Sequence, residues 1–375
     1  MTSTSGLTAL LAGAALALGG LLATGAAAEQ RALTYSSYLP PSHGSNRDGL
    51  IPLFQEAERA TGGSLRIQLH TGGSLVAGPA TLSAIRTGLV DGGFVVSLYH
   101  PNQIPLNTAM SDLALLAADP LATMGAINET VLLNCPDCLA EYRRNNTIYI
   151  GAYSTTPYRV MCRQPVRSMD DLRGLRMRAA GNVYGRWAQR MGGVGVNIPN
   201  AEAYEALERG QLDCVIGSVA WLETLSLWDV AKNVVDLPMG AYFGGALIAF
   251  NRDSWNGIRA EDRAAFLRLV PRALAQVAVG YVRDDETVER RARERGMTSY
   301  PPDPALTRLL EEYNRDEVRN AIAVARQRGA RNPEPVIEAF LGNLRKWREI
   351  VQRTGVDTDR FEQALRTEIF DRVRF

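Results

Sequence analysis

The chain has 375 residues with 41 basic and 40 acidic side chains, a formal net charge of +1. A balance this even gives no electrostatic footprint for nucleic acid or for an anionic membrane surface. The length allows two domains, or two lobes of one receptor, each burying its own core.

Residues 1–28 carry no charged side chain, and 7–22 is an apolar run rich in Ala, Leu and Gly. With Ala26-Ala27-Ala28 at its end, the segment reads as a secretory leader cleaved before Glu29. The alternative is an uncut N-terminal anchor, since the first residues carry no Lys or Arg. No later stretch is expected to be apolar enough to span a membrane, so the mature chain is expected to be secreted without inserting.

Strand signals occur at 31–37, 65–70 and 89–96, with helices over 50–60, stopped by Gly62-Gly63, and 79–87, closed by Gly88. Asp119-Pro120 starts a helix running to about 133, because Asp caps and Pro suits the first helical position. A strand at 147–153 leads into a second set: strand 157–162, a capping box at 168–171 with Asp in place of Glu, strand 175–178, helix 183–191, strand 194–198, and helix 201–209 ended by Gly210. After Asn251 the chain is Arg-rich and helical over 259–295, with a kink expected at Pro271, then 305–328 and 334–353. Strands alternating with helices imply α/β sheets. The stretch 84–92 also echoes 206–214: two apolar residues, a glycine suited to a left-handed helix end, an apolar strand start, then Asp91 or Asp213.

Little here suits an enzyme. None of the three histidines, His43, His70 and His100, sits in an HExxH pattern, and no G-x-S-x-G elbow or phosphate-binding loop is present. Cys135-Pro136-Asp137-Cys138 has redox spacing but lacks the strand-then-helix context of a thioredoxin. In an oxidising compartment a structural disulfide is the simpler reading, although four cysteines, with Cys162 and Cys214, allow three connectivities. Zinc would need a second closely spaced ligand pair. Arg178, by contrast, ends a strand just before a helix, where a guanidinium can face a cleft and grip a carboxylate through two parallel hydrogen bonds.

The run Asp171-Leu172-Arg173-Gly174-Leu175-Arg176-Met177-Arg178, followed by Ala203-Tyr204-Glu205-Ala206-Leu207 and then Gly210 and Asp213, resembles the substrate-binding proteins of TRAP (tripartite ATP-independent periplasmic) transporters, the DctP family. Gly72-Gly73-Ser74-Leu75, Gly88-Leu89-Val90-Asp91 and Asn251 to Trp255 fit the same pattern, so the resemblance covers nearly the whole mature chain. It implies a two-lobed, periplasmic-binding-protein-like α/β fold with hinge strands and long C-terminal helices. Lobe I would comprise 29–150 and 240–285, and lobe II 151–239 and 286–375. It also implies a periplasmic receptor that delivers a small organic acid to membrane permease subunits, without cofactor or metal. In that family the arginine at the position of Arg178 holds the ligand carboxylate, Arg159 matches a second pocket arginine, and Asn182 falls where a polar contact is common.

Gly217 departs from the pattern, standing where the family commonly has a ligand-binding Asn, which weighs against a sugar-acid ligand. Ser218, Trp221, Tyr184 and Phe243, with Tyr38 after the first strand, complete the candidate pocket and suit a flat or apolar ligand body. A secreted thiol enzyme using Cys135 and Cys138, or a ligand-presenting sensor of the same fold, are the alternatives.

Overall fold

The computed structural model describes residues 31–375. The leader expected over 1–28, and its cleavage, lie outside the described residues. Eleven strands follow in chain order: β1 (Arg31–Ser36), β2 (Leu65–His70), β3 (Gly92–Gly93), β4 (Thr147–Pro157), β5 (Arg159–Cys162), β6 (Arg176–Arg178), β7 (Val194–Val196), β8 (Cys214–Gly217), β9 (Asn233–Val235), β10 (Ala241–Asn251) and β11 (Thr298–Tyr300). They form two sheets, in the orders β2-β1-β3-β10-β4 and β11-β9-β5-β8-β6-β7.

Three segments pass between the sheets. β4 runs into β5 across Tyr158, and β9 returns to β10 through 236–240. These two crossings are laced together: the Tyr158 amide donates to the Gly240 carbonyl at 2.8 Å, and the Met239 amide to the Tyr158 carbonyl at 3.0 Å. The third is the helix Ala260–Glu294, which leads to β11 and continues through Pro271. By length and composition this helix is apolar enough to cross a membrane, which corrects the expectation that no stretch after the leader is. Its apolar side is buried in the core, where Phe266, Val270, Leu274, Val277 and Tyr281 pack.

The strand expected over 89–96 is regular only at Gly92 and Gly93, with one further bridge from Val95 to Ala246. A Cβ on Gly92 would fall 2.5 Å from the Tyr35 ring, and β10 opposite is bulged at Gly244 and Gly245, both with positive φ. The ladder is thus broken by close packing, not by a lack of strand propensity.

The helices Glu334–Thr354 and Thr358–Leu365 pack beside the first sheet, on the helices Pro120–Glu129 and Ala260–Glu294 respectively. Trp347 covers Gly125, and Glu129 accepts from both Lys346 and the Trp347 indole. That part of the stretch 286–375, grouped with lobe II from sequence, thus leans on the other sheet. The cysteines form two disulfides, Cys135–Cys138 and Cys162–Cys214, the second joining register partners on β5 and β8.

Candidate functional site

Arg178 ends β6 with its side chain turned inward, 1% exposed. Its Nε donates to the Ile198 carbonyl at 3.0 Å and Nη1 to the Ile216 carbonyl at 3.3 Å, so two of the five guanidinium hydrogens are held by backbone. The guanidinium carbon lies 5.3 Å from the centroid of the Trp221 ring. Among the described residues, no Asp or Glu oxygen comes within 4.0 Å of its nitrogens. Nearby arginines differ: Arg176 is forked onto Asp213, while Arg159 reaches Asp236 through Nε and Arg186 reaches Glu317 through Nη2. A buried cation without an acidic partner is expensive, and it points to an anion supplied from outside the chain.

Aromatic rings surround this guanidinium. Tyr184 stacks on Tyr158 at 4.9 Å, and Tyr158 meets Trp221 edge-on at 5.1 Å. From the first lobe, Tyr38 contacts Phe94 and Tyr99, and Phe94 leads on to Tyr153 and Tyr242. Burial pushes the phenols of Tyr38, Tyr158 and Tyr184 far above the ordinary tyrosine range, while the positive field of Arg178 pulls each back down. They therefore act as neutral hydroxyls at any physiological pH.

The structure gathers Arg178, Trp221, Tyr184 and Tyr38 in this way. Ser218 lies just behind Trp221, its hydroxyl 3.2 Å from that of Thr156 and 3.3 Å from Asp285 Oδ1. Asp285 also accepts the Ala220 amide at 2.9 Å, and burial raises its carboxyl to about 6. Three expected residues stand apart. Arg159 is held by Asp236 at 2.8 Å and by the Pro157 carbonyl at 3.1 Å. Asn182 is exposed on the first turn of the helix Gly181–Arg190. Phe243 stacks on Phe340 at 4.7 Å, in the core against the helix Glu334–Thr354, while its neighbour Tyr242 packs on Tyr153.

Tyr158, Tyr99, Tyr153 and Asp285 did not emerge from the sequence. Only Tyr158 carried a signal, its place at the start of the strand expected over 157–162.

Residues 37–323 match the family described as bacterial extracellular solute-binding protein, family 7 (DctP). Among curated proteins, the outer membrane transporter protein TsaT of Comamonas testosteroni is 22% identical over 289 residues, covering 76% of this chain and 83% of its own. A TRAP solute-binding protein of Rhodoferax ferrireducens, solved with co-purified benzoate, superposes with a TM-score of 0.76 at 14% identity, over 86% of this chain and 99% of that one. A TRAP periplasmic solute-binding protein of Bordetella bronchiseptica, with bound (R)- and (S)-mandelate, gives 0.73 at 21% identity, over 84% and 99%. With the family matched across most of its length and this two-lobed architecture, the chain belongs to the family 7 (DctP) bacterial extracellular solute-binding proteins.

Proposed function

We propose that this protein is a periplasmic receptor for a small monocarboxylate carrying a ring, which it passes to the permease of a TRAP-type transporter. Arg178 takes the carboxylate, and Trp221, Tyr158, Tyr184 and Tyr38 take the ring. The observation that carries this reading is the buried Arg178 guanidinium, which has no acidic partner among the described residues. The benzoate and mandelate of the two neighbours are acids of this kind. Binding proceeds by closure of the lobes about the crossings at Tyr158 and 236–240, with no covalent step. The pairing of Cys135 with Cys138, both buried, weighs against the thiol-enzyme alternative.

The magnitudes suffice. A micromolar receptor needs about −8 kcal/mol. Two charge-assisted hydrogen bonds supply roughly 3–6 kcal/mol, and burying about 150 Å² of ring adds about 4 kcal/mol before ordering costs.

Isothermal titration of the mature protein with benzoate, mandelate, pyroglutamate and succinate tests the reading. A ring acid is expected to bind, and Arg178→Gln to weaken it roughly 100-fold, as removal of one partner of a buried pair does. Binding that survives Arg178→Gln, or a preference for succinate, would sink the assignment.

A further inference from the structure

Two arginines of this fold leave the same face of the second sheet. Arg159 on β5 is registered opposite Gly217 of β8, and Arg178 on β6 opposite Val215, two residues earlier on that strand. With β8 between them they stand two strand spacings apart and two residues offset along it, roughly 12 Å between backbone positions. Long side chains could converge across that gap onto a single carboxylate. Here the gap is filled. A Cβ on Gly217 would lie 2.2 Å from Trp221 Cζ3 and 2.3 Å from Cε3, so the indole rests directly on the glycine. The indole also faces the Arg178 guanidinium and meets the Tyr158 ring in a T-shaped contact.

Arg159 is turned away and opens on a separate surface crevice with Val219, Leu222, Asp236 and Glu289, a crevice that Arg178 does not line. Val219 and Leu222 flank Trp221 in sequence, so one short segment forms the wall between the two environments. Asp236 neutralises Arg159 locally, while Arg178 has no such partner among the described residues.

We infer that Trp221, seated on Gly217, is the specificity-determining residue of this receptor: it divides the two arginines, leaves Arg178 alone to hold the carboxylate, and offers that carboxylate's ring an aromatic wall. The inference rests on the receptor reading above. It assigns Arg159 to a structural ion pair, and it predicts discrimination against small acids without a ring. A residue larger than Gly at 217 and an indole at 221 exclude one another, so the pair acts as a unit.

The test is titration of four proteins, wild type, Arg178→Gln, Arg159→Gln and Trp221→Ala, with benzoate and with pyruvate. Arg159→Gln is expected to bind benzoate within about threefold of wild type, because only a partly exposed ion pair is lost. Trp221→Ala is expected to weaken benzoate about tenfold or more while leaving pyruvate within about threefold, since the aromatic wall is lost while the Ile198 and Ile216 carbonyls still hold the Arg178 guanidinium. Near-equal losses for Arg159→Gln and Arg178→Gln would overturn the division of the arginines. An unchanged benzoate-to-pyruvate ratio in Trp221→Ala would overturn the role of the indole. Should Trp221→Ala fold poorly by circular dichroism, Trp221→Leu keeps apolar bulk without the aromatic face and must show the same loss of ratio. Failure of the receptor reading itself is distinguishable, because Arg178→Gln would then be silent as well.

Discussion

Individual residues in this protein are decided by what stands opposite them. Gly125, Gly217 and Gly240 are examples, each with another group where a Cβ would go: the Trp347 ring at 2.1 Å, the Trp221 ring at 2.2 Å and the Ala114 carbonyl oxygen at 2.0 Å. Gly125 has ordinary helical backbone, so only crowding forbids a side chain there. Gly125→Ala is therefore expected to cost about 1–3 kcal/mol by overpacking, read as a lower midpoint in urea. Because Trp347 lies on the far side of the first sheet's helices, ligand affinity should stay unchanged. A silent substitution would mean that the helix Glu334–Thr354 is not seated as described. Phe243 and Tyr242 make a related point. Neighbours on a strand face opposite ways, so only one of them can look toward the cleft. Composition cannot say which, and the sequence-based choice of Phe243 picked the residue that stacks on Phe340 in the core.

At the scale of elements, the two echoed stretches do the same work in the two sheets. The Leu89 amide bonds to the Ala84 carbonyl, and the Gln211 amide to the Ala206 carbonyl, each closing a helix through a left-handed glycine. Asp91 then accepts the Thr34 amide of β1 at 2.8 Å, and Asp213 the Arg176 amide of β6 at 2.8 Å. An acidic residue at the same point thus pins each strand to its parallel neighbour. The disulfides differ in a predictable way. Cys162–Cys214 closes a separation of 52 residues across paired strands, and Cys135–Cys138 one of only 3. Constraint of the unfolded chain grows with loop length, so the longer bridge should contribute about 2–4 kcal/mol and the shorter one less. Calorimetry of Cys162→Ala/Cys214→Ala beside Cys135→Ala/Cys138→Ala checks the order. Equal losses would show that the short bridge acts by positioning Glu141, whose carboxylate accepts the Leu106 and Asn107 amides at the start of a helix.

Across the whole molecule, the His43 loop of the first lobe meets the long connecting helix at Tyr281, which packs on Tyr153 beside the site. Burial, then the nearby Arg47, lowers the His43 pKa to about 3, so the folded protein holds this ring neutral. The unfolded chain takes up a proton there below about 6.5, and the folded chain does not until about 3. Protonation therefore favours unfolding, and this contribution to stability falls by about 1.4 kcal/mol per pH unit through that window. Asp285 runs the other way: its raised folded pKa adds stability as pH falls from about 6. The two are separated by difference. His43→Gln should be less stable than wild type at pH 7.5, and that deficit should shrink steadily toward pH 4 in denaturant titrations. A deficit independent of pH would mean that His43 titrates normally in the folded protein.

Much of this was legible from residues alone, and for physical reasons. Helix caps, closing glycines and alternating strands are local interactions, so Asp119, Gly88, Gly210 and the capping box at Ser168 act as their neighbours in sequence require. The motif around Arg178 likewise sits within one strand and the turn after it. What sequence could not supply depends on distant partners. Asp236 reaches Arg159 over 77 residues, and Phe340 takes Phe243 from a helix near the C-terminus. Cys162 finds Cys214 only because β5 and β8 are in register. The cage around Arg178 is assembled from Tyr38, Tyr158, Tyr184 and Trp221, residues of both lobes and of the crossing between them. By itself the sequence determined the family, most of the longer secondary elements and the arginine that faces inward. Which groups share that arginine's surroundings was decided only by tertiary packing, because burial and charge pairing depend on everything the chain brings to the same place.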